Sequence, residues 1–417
     1  MNKITKIKGF ADLFPPESTV YVQMEETARQ VFSAYGCNEV RIPIVEKTEL
    51  FARTIGGETD IVQKEMYTFQ DRKGRSLTLR PEATAGMVRA FIESGPSQGS
   101  IAKYFTLGPM FRYERPQKGR MRQFHQIDVE FFGPTTPQAD GELILMLWHY
   151  LTALKLDNFH LEINSLGCPK CRPQFKQKLL SFLQHIDESK LCADCKRRKQ
   201  TNPLRVLDCK VSTCKEMVAS APKIIDSLCL ECQKHFKDVL AILDKAGLNY
   251  TLNHLLVRGL DYYQRTTFEI IAENPNIGSQ SAIAGGGRYD GLVKNLGGPD
   301  IPGLGFACGM ERIALLLDKQ NNFKQDFFLA VLSDKALNQA ILLAQKLRNK
   351  GFKGEVSFEA KSLKSQLRYA HKKEVKTCLI LGEDELSSGV IQAKNMETGL
   401  QQTIALEDIE QALGINF

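Results

Sequence analysis

The sequence predicts an α+β chain: a large unit on an antiparallel sheet, interrupted by a helical insertion, then a small α/β unit. Three observations carry this. Residues 67 to 132 hold short alternating segments joined by turn residues, the pattern of hairpins with a helix among them. From Phe327 onward strand-like and helix-like segments alternate, as in helices packed on a mostly parallel or mixed sheet. Between these regions lies a segment unlike either. From Cys168 to Tyr250 the chain carries eight of its 11 cysteines and 16 Lys+Arg against 9 Asp+Glu. The rest of the 417 residues hold 39 of each sign and are formally neutral. At ~150 residues per domain the length predicts more than one domain. With 43% hydrophobic and 25% charged residues, the composition excludes a disordered or fibrous chain.

The elements follow in order. Residues 18 to 35 place apolar side chains at helical spacing behind a Ser-Thr start, a first helix that Gly36 ends. NEVRIPIVEKTELF reads as an extended segment interrupted by Pro43, and MYTFQDRKGRSLTLR as a hairpin around Lys73-Gly74. A helix from about Ala83 to Glu93 leads into YFTLGPMFRYERPQKGRMRQFHQIDVEFFG, read as strand, long basic loop and strand. A helix near 138–154 and a strand at 159–164 precede the cysteine window. After it, TTFEIIAE is a strand, IAGGGRYDGLVKNLGG a glycine-rich turn and hairpin, and GFACGMERIALLLDK a strand turning into a helix. These place one unit at 1–320, interrupted at 168–250, a polar linker at 318–326 and a second unit at 327–417. The second unit reads as FFLAVLS, a helix, a short strand, a helix near 362–371, TCLILG, and a final hairpin plus helix.

The longest apolar stretch, Leu143 to Leu154, is far short of the ~20 residues that span a bilayer, and reads as a buried amphipathic helix. The N-terminal segment has no apolar run of signal-peptide length, so the expected compartment is the cytoplasm, with no membrane partner. There thiols stay reduced, and clustered cysteines point to metal before disulfides.

The strand ending the basic loop is the sharpest local feature. Alternation puts Arg122, Phe124, Gln126, Asp128 and Glu130 on one face, and His125, Ile127, Val129 and Phe131 on the other. A face of Gln and Glu in a sheet rich in Phe and Val is either an exposed edge or a binding floor. The loop before it adds Arg115, Lys118 and Arg120 between Arg112 and Arg122. Such a set suits polyphosphate or nucleic acid, or is a solvated hairpin tip. RPEATAG sets Glu82 at a strand-to-helix transition, where it also suits the helix dipole. VRGLDYYQR gathers Arg258, Asp261, Tyr262, Tyr263 and Arg265, and GLGFACGMER sets glycines before Arg312. The latter is no dinucleotide fingerprint by spacing.

Together and in this order, IPIVEKTELF, RPEATAGMVRAF, FRYERPQKGRMRQFHQIDVEFFG, LVRGLDYYQRTTFEI, GGGRYDGL and GLGFACGMERI resemble the bacterial histidyl-tRNA synthetases of class II, across nearly the full length. The resemblance implies a class II antiparallel-sheet catalytic domain, a helical insertion, a C-terminal α/β anticodon-binding domain, and a homodimer. It also implies ligation of L-histidine to tRNA(His) through histidyl-adenylate, with release of diphosphate and then AMP. Arg258 and Arg112 are then expected at the α-phosphate as catalytic residues. ATP would be held by Arg112, Arg120, Phe124 and Arg312, with Mg²⁺ arriving on the nucleotide. Glu130, Tyr262 and Tyr263 are the expected partners of the imidazole, and Glu82, Thr84 and Gln126 of the α-amino and carboxylate ends. Arg115 and Gln117 are the expected contacts to the tRNA acceptor end.

The cysteine window departs from the simplest family pattern. Cys168/Cys171, Cys192/Cys195 and Cys229/Cys232 are CxxC pairs, and Cys209/Cys214 a wider one. Eight thiolates fill one or two structural Zn²⁺ sites, the alternative being thiols that merely pack the insertion. We expect 192/195 to join 209/214, and 168/171 at the entrance to join 229/232 at the exit. Cys37, Cys308 and Cys378 are isolated and structural. Two non-catalytic alternatives stand beside the ligase. One is a paralogue acting as regulatory subunit of ATP phosphoribosyltransferase, which would lack the anticodon domain and much of the basic loop. The other is a zinc-bearing RNA-binding module.

Overall fold

The computed structural model describes residues 3–57, 59–97, 99–274, 281–318, 325–410 and 413. The chain divides into two compact units, Met1–Lys319 and Gln320–Phe417. Each is taken by itself.

The first unit is built on an eight-stranded sheet. Its order is Asn38–Glu39, Ala102–Phe111, Gln123–Phe132, Gly303–Gly309, Ala282–Arg288, Gln264–Ala272, Phe159–Ser165, Tyr250–Leu252. Pairing is antiparallel except at the two rims, where the short outer strands run parallel to their neighbours. One face packs on three helices. Ile127, Val129, Phe131, Phe268 and Phe306 meet Met24 and Phe32 of Glu17–Ala34, Leu143 and Leu147 of Pro137–Ala153, and Val239 and Leu243 of Leu230–Lys245. The helix Leu230–Lys245 lies inside the cysteine-rich window, yet its apolar stripe belongs to this core. The stretch 143–154 is the buried helix its composition predicts.

Three local readings change. Of the two readings of the polar face, edge exposure falls, because Ala102–Phe111 pairs with Gln123–Phe132 along its whole length and Gly303–Gly309 pairs with residues 126–132 on the other side. TELF does not continue the extended segment. It opens the helix Thr48–Ile55, whose Leu50, Phe51 and Ile55 recur at helical spacing and are buried. IAGGGRYDGL is not a turn and hairpin but the interior strand Ala282–Arg288, a turn, and the short helix Leu292–Asn295. Its glycines stand in the sheet because neighbours occupy the space a side chain would need. A Cβ on Gly285 would lie 2.5 Å from Arg258 Nη1. Arg288, next in the strand, is fully buried and donates to Asp140 and to the Pro134 carbonyl at 2.8 Å.

The hairpin reading at 67–79 holds, in a three-stranded sheet of Val45–Lys47, Ser76–Leu79 and Tyr67–Gln70. The second unit has a five-stranded mixed sheet. Gly354–Val356, Phe327–Val331 and Thr377–Leu381 are parallel, and Val390–Asn395 and Gln401–Ala405 add antiparallel strands. Helices Leu337–Asn349 and Leu363–Lys372 supply apolar residues to its two cores. The middle of the expected 318–326 linker and most of the expected final helix lie outside the described residues. Cys37, Cys308 and Cys378 are each buried and apart from the other thiols. Among the described residues no helix is long and apolar enough to cross a membrane.

Candidate active site and cysteine clusters

A cleft of about 490 Å³ opens on the sheet face opposite the helical core. Its floor is the strand Gln123–Phe132, whose period-2 alternation turns Phe124, Gln126 and Asp128 into the cleft and Ile127, Val129 and Phe131 into the core. Glu82 and Thr84 border one end. The Glu82 carboxylate accepts from the backbone N–H of Thr84 at 2.8 Å and of Ala85 at 2.9 Å, capping the helix Thr84–Glu93. The capping role and the cleft-lining role therefore fall on one side chain. Tyr262 and Tyr263 line the same end, and Arg258 lies beside them with its guanidinium 5.6 Å from the Tyr263 ring centre. Arg258 is held by an ion pair to Glu269 on the next strand.

Arg120 and Arg312 border the other end, and Arg112 stands between the two ends. Arg112 donates to the Pro81 carbonyl at 2.9 Å and stands 5.2 Å from the Phe124 ring centre. Arg120 returns to the cleft because the basic loop folds on itself, Gln117 and Arg120 exchanging backbone hydrogen bonds of 2.9 Å. It pairs with Glu114 at 3.0 Å. Burial, reinforced by Arg120, lowers the Arg312 guanidinium to about 10. Three guanidinium groups at and beside one end of a cleft suit a ligand of negative charge. Arg115 and Gln117 sit at the exposed tip, outside the cleft lining.

Glu130 does not line the cleft. It lies just behind the floor, 1% exposed, accepting from the Thr84 hydroxyl at 2.6 Å and from the Tyr289 hydroxyl. Gly305 stands opposite it, and a Cβ there would overlap its carboxylate. Burial pushes Glu130 up to about 8 even though Thr84 and Tyr289 favour its charged form. Asp128, also 1% exposed, is pushed well above the usual carboxylate range by burial and then by Glu130 and Glu82. Its Oδ2 and the Gln126 Oε1 are buried without a hydrogen-bond partner. Buried acceptors in that state mark a place where a donor binds. The arrangement thus offers an acidic, acceptor-rich end suited to an ammonium group and a guanidinium-rich end suited to phosphates.

Residues passed over in the sequence also line this cleft. Asp128 shares the face of Gln126, so the same alternation identifies it. Glu269 sits on another strand, and Arg198, Arg205, Asp208 and Lys210 come from the cysteine-rich segment. No local motif announces them.

The eight thiols gather in two sets, Cys168, Cys171, Cys229 and Cys232, and Cys192, Cys195, Cys209 and Cys214, each with its ligand atoms within 4.8 Å of one another. This is the pairing expected from entrance and exit. A tetrahedral ion with Zn–S of ~2.3 Å sets its sulfurs ~3.8 Å apart. The observed separations are 3.6 Å for Cys168–Cys171, 4.0 Å for Cys168–Cys229 and 3.8 Å for Cys192–Cys209. Backbone N–H groups of Cys229 and Cys192 donate to Cys171 Sγ at 3.1 Å and Cys214 Sγ at 3.2 Å. The Cys232 backbone amide helps lower the Cys229 thiol to about 7, while burial pushes Cys171, Cys195 and Cys232 up. Four thiols this close, three of them buried in each set, can all ionise only around a cation, so the donor set fits a metal. Among the described residues these are the two groups of three or more such ligands, and the cleft holds no carboxylate cage.

The same combination of elements recurs in known proteins. Residues 9–313 match the family model described as Histidyl-tRNA synthetase, and residues 326–414 the model described as Anticodon binding domain. The chain is 62% identical over 405 residues to a protein named histidine–tRNA ligase from Solidesulfovibrio magneticus, with 97% of this chain and 96% of that one covered. A protein of the same name from Geobacter sulfurreducens is 52% identical over 414 residues, covering 99% of this chain and 100% of its own. Among solved structures, apo S. aureus histidyl-tRNA synthetase superposes with a TM-score of 0.80 at 34% identity, with 100% of both chains covered. With a sheet, a cleft and a second unit in this order, and matches that run nearly end to end, the chain belongs to the histidyl-tRNA synthetase family.

Proposed function

We propose that this chain is an aminoacyl-tRNA ligase that joins L-histidine to tRNA(His) at the expense of ATP. The observation that carries the reading is the polarity of one cleft, buried carboxylates at one end and convergent arginines at the other. In the first step a carboxylate oxygen of histidine attacks the α-phosphorus of ATP, forming the mixed anhydride and expelling diphosphate. A 3′-terminal adenosine hydroxyl then attacks the activated carbonyl, and AMP leaves. Little covalent work falls to the protein, so positioning and charge stabilisation supply the rate.

Arg258 and Arg112 are the catalytic residues, their guanidinium groups meeting charge that develops on the α-phosphate. The ion pair with Glu269 fixes Arg258 before substrate arrives. Arg120 and Arg312 take the distal phosphates, and Phe124 offers its ring to the base. Mg²⁺ enters with the nucleotide as part of the substrate. Glu82, Thr84 and Gln126 hold the amino-acid backbone groups, with the unpaired Asp128 oxygen as a further partner for the α-ammonium. Tyr262 and Tyr263 meet the imidazole, and Glu130 acts on it from behind through Thr84 and Tyr289. Each cysteine set holds one structural Zn²⁺, whose four bonds add to the apolar packing around the thiols. The 168–250 segment is an insertion in the catalytic domain, and 327–417 reads the anticodon. The exposed Arg115 and Gln117 meet the acceptor end, and the enzyme works as a cytoplasmic homodimer. The regulatory-subunit alternative predicts a missing anticodon domain, whereas residues 326–414 match one.

Histidine-dependent exchange of labelled diphosphate into ATP by the full chain tests the reading, and no exchange overturns it. Arg258→Ala should lower the exchange kcat by about 100-fold or more, ~2.7 kcal/mol of transition-state stabilisation, while KM for ATP moves far less. Equal losses in both contradict a transition-state role.

A further inference from the structure

One wall of the cleft is made by the cysteine-rich segment. Arg198, Arg205, Asp208 and Lys210 all line it. Asp208 and Lys210 are the chain neighbours of Cys209, a member of the second cysteine set. Arg198 stands three residues after Cys195 on the helix Ala193–Thr201 and pairs with Asp60 at 2.7 Å. Arg205 lies over Gly259, next to Arg258, and points to Asp208 at 3.4 Å. Lys210 Nζ is 2.9 Å from the other Asp208 oxygen, with 73% of its side chain exposed.

Two features of this wall call for an explanation. Its three cations outnumber its own carboxylate and face a cleft whose far end is already rich in arginine. Its thiols Cys195, Cys209 and Cys214 are also buried with Leu191, Val206, Leu207 and Val218 in a core that reaches Tyr262 and Tyr263 of the cleft. Holding long, rotamer-rich cations in one place costs side-chain entropy, and Lys210 itself stands outside that core. Four bonds to one ion would add rigidity to the packing, and Cys209 would deliver it one peptide bond from Lys210.

We propose that the Cys192–Cys195–Cys209–Cys214 set is a positioning device for the cleft, and that through Cys209 it holds Lys210 and Arg205 where they bind a phosphate group of the substrate. The phosphate is that of the nucleotide or the terminal phosphodiester of the tRNA. The inference rests on the ligase and metal readings above, and its test separates their failures from its own.

The test uses the full chain as wild type, Lys210→Gln and Cys214→Ser. Three quantities are measured: metal per chain, diphosphate exchange without tRNA, and histidine transfer to tRNA. Lys210→Gln changes an exposed side chain and keeps every thiol, so its metal content should equal that of wild type. It should raise KM roughly tenfold, the equivalent of ~1.4 kcal/mol for one lost charge-assisted contact. A rise in KM for ATP in the exchange assay assigns the phosphate to the nucleotide. A rise confined to KM for tRNA assigns it to the tRNA. Cys214→Ser should lose one ion per chain and reproduce the same KM shift. The proposal is overturned if Lys210→Gln leaves both KM values within about twofold of wild type, or if Cys214→Ser loses its ion without the shift. If Cys214→Ser is insoluble, Lys210→Gln decides alone. Wild type without metal sinks the metal reading, and wild type without exchange sinks the ligase reading.

Discussion

The floor and the insertion wall of the cleft are held by different physics. Gln126 and Asp128 have strand partners on both sides and Phe124 on one, with Ile127, Val129 and Phe131 packed behind them. Arg198, Arg205, Asp208 and Lys210 stand on short helices and turns between thiols. The floor draws its rigidity from burial shared with three helices. The wall shares an apolar core around Cys195, Cys209 and Cys214 and adds the thiol set and ion pairs such as Arg198–Asp60. One cleft can therefore be perturbed from one side at a time.

Removing metal should give the largest separation. A strong chelator should raise amide exchange across residues 168–218 by roughly 100-fold or more, ~2.7 kcal/mol, while amides of 123–132 keep their protection. Hydrogen-exchange mass spectrometry reads both regions in one sample, and a uniform change would end the contrast. Next comes the floor. Gly305→Ala sets a Cβ against the Glu130 carboxylate and the Val129 carbonyl, and should cost about 1–3 kcal/mol in urea unfolding without loss of metal. An unchanged midpoint would show that the floor yields as the wall does.

The smallest effect is electrostatic. The folded value of Glu130, near 8, lies above the ordinary 4.5, so the folded state holds this proton more tightly than the unfolded chain. The stability it contributes is present below about 4.5 and lost as pH rises toward 8. Wild type should weaken over this window, and Glu130→Gln, which cannot ionise, should weaken less. Asp128 and Glu82 are shifted the same way and leave a residual slope. A variant with the full wild-type slope would remove Glu130 as its source.

How far the sequence reveals this site follows the same division. The floor is legible because a strand has period 2: once Ile127, Val129 and Phe131 are core, Phe124, Gln126 and Asp128 must face the other way. That the strand is interior is hidden, since beside its hairpin partner Ala102–Phe111 the second neighbour, Gly303–Gly309, comes from distant sequence and is thin in side chains. The glycines of Ala282–Arg288 imitate a turn until Arg258 is seen lying over Gly285. The helix Thr48–Ile55 was masked by the extended segment that runs into it. The cysteine pairs are legible as ligands, but the sequence does not give how they combine; the expected joining, entrance with exit, agrees with the two sets observed. The wall is not legible. Nothing in the pattern around Cys209 places its neighbours beside Arg258, a consequence of how the segment folds back over RGLDYY, with Asn202 bonded to Asp261 at 2.9 Å.

The two cysteine sets also bear on how a polyanion finds this protein. Four thiolates around one divalent ion leave two net negative charges, so two filled sites would reduce the segment's formal excess of seven to about three. The long-range field is then far weaker than the count of lysines and arginines implies. Encounter with nucleic acid would be guided by arginines fixed at the cleft and along the loop, and its rate would respond only moderately to ionic strength.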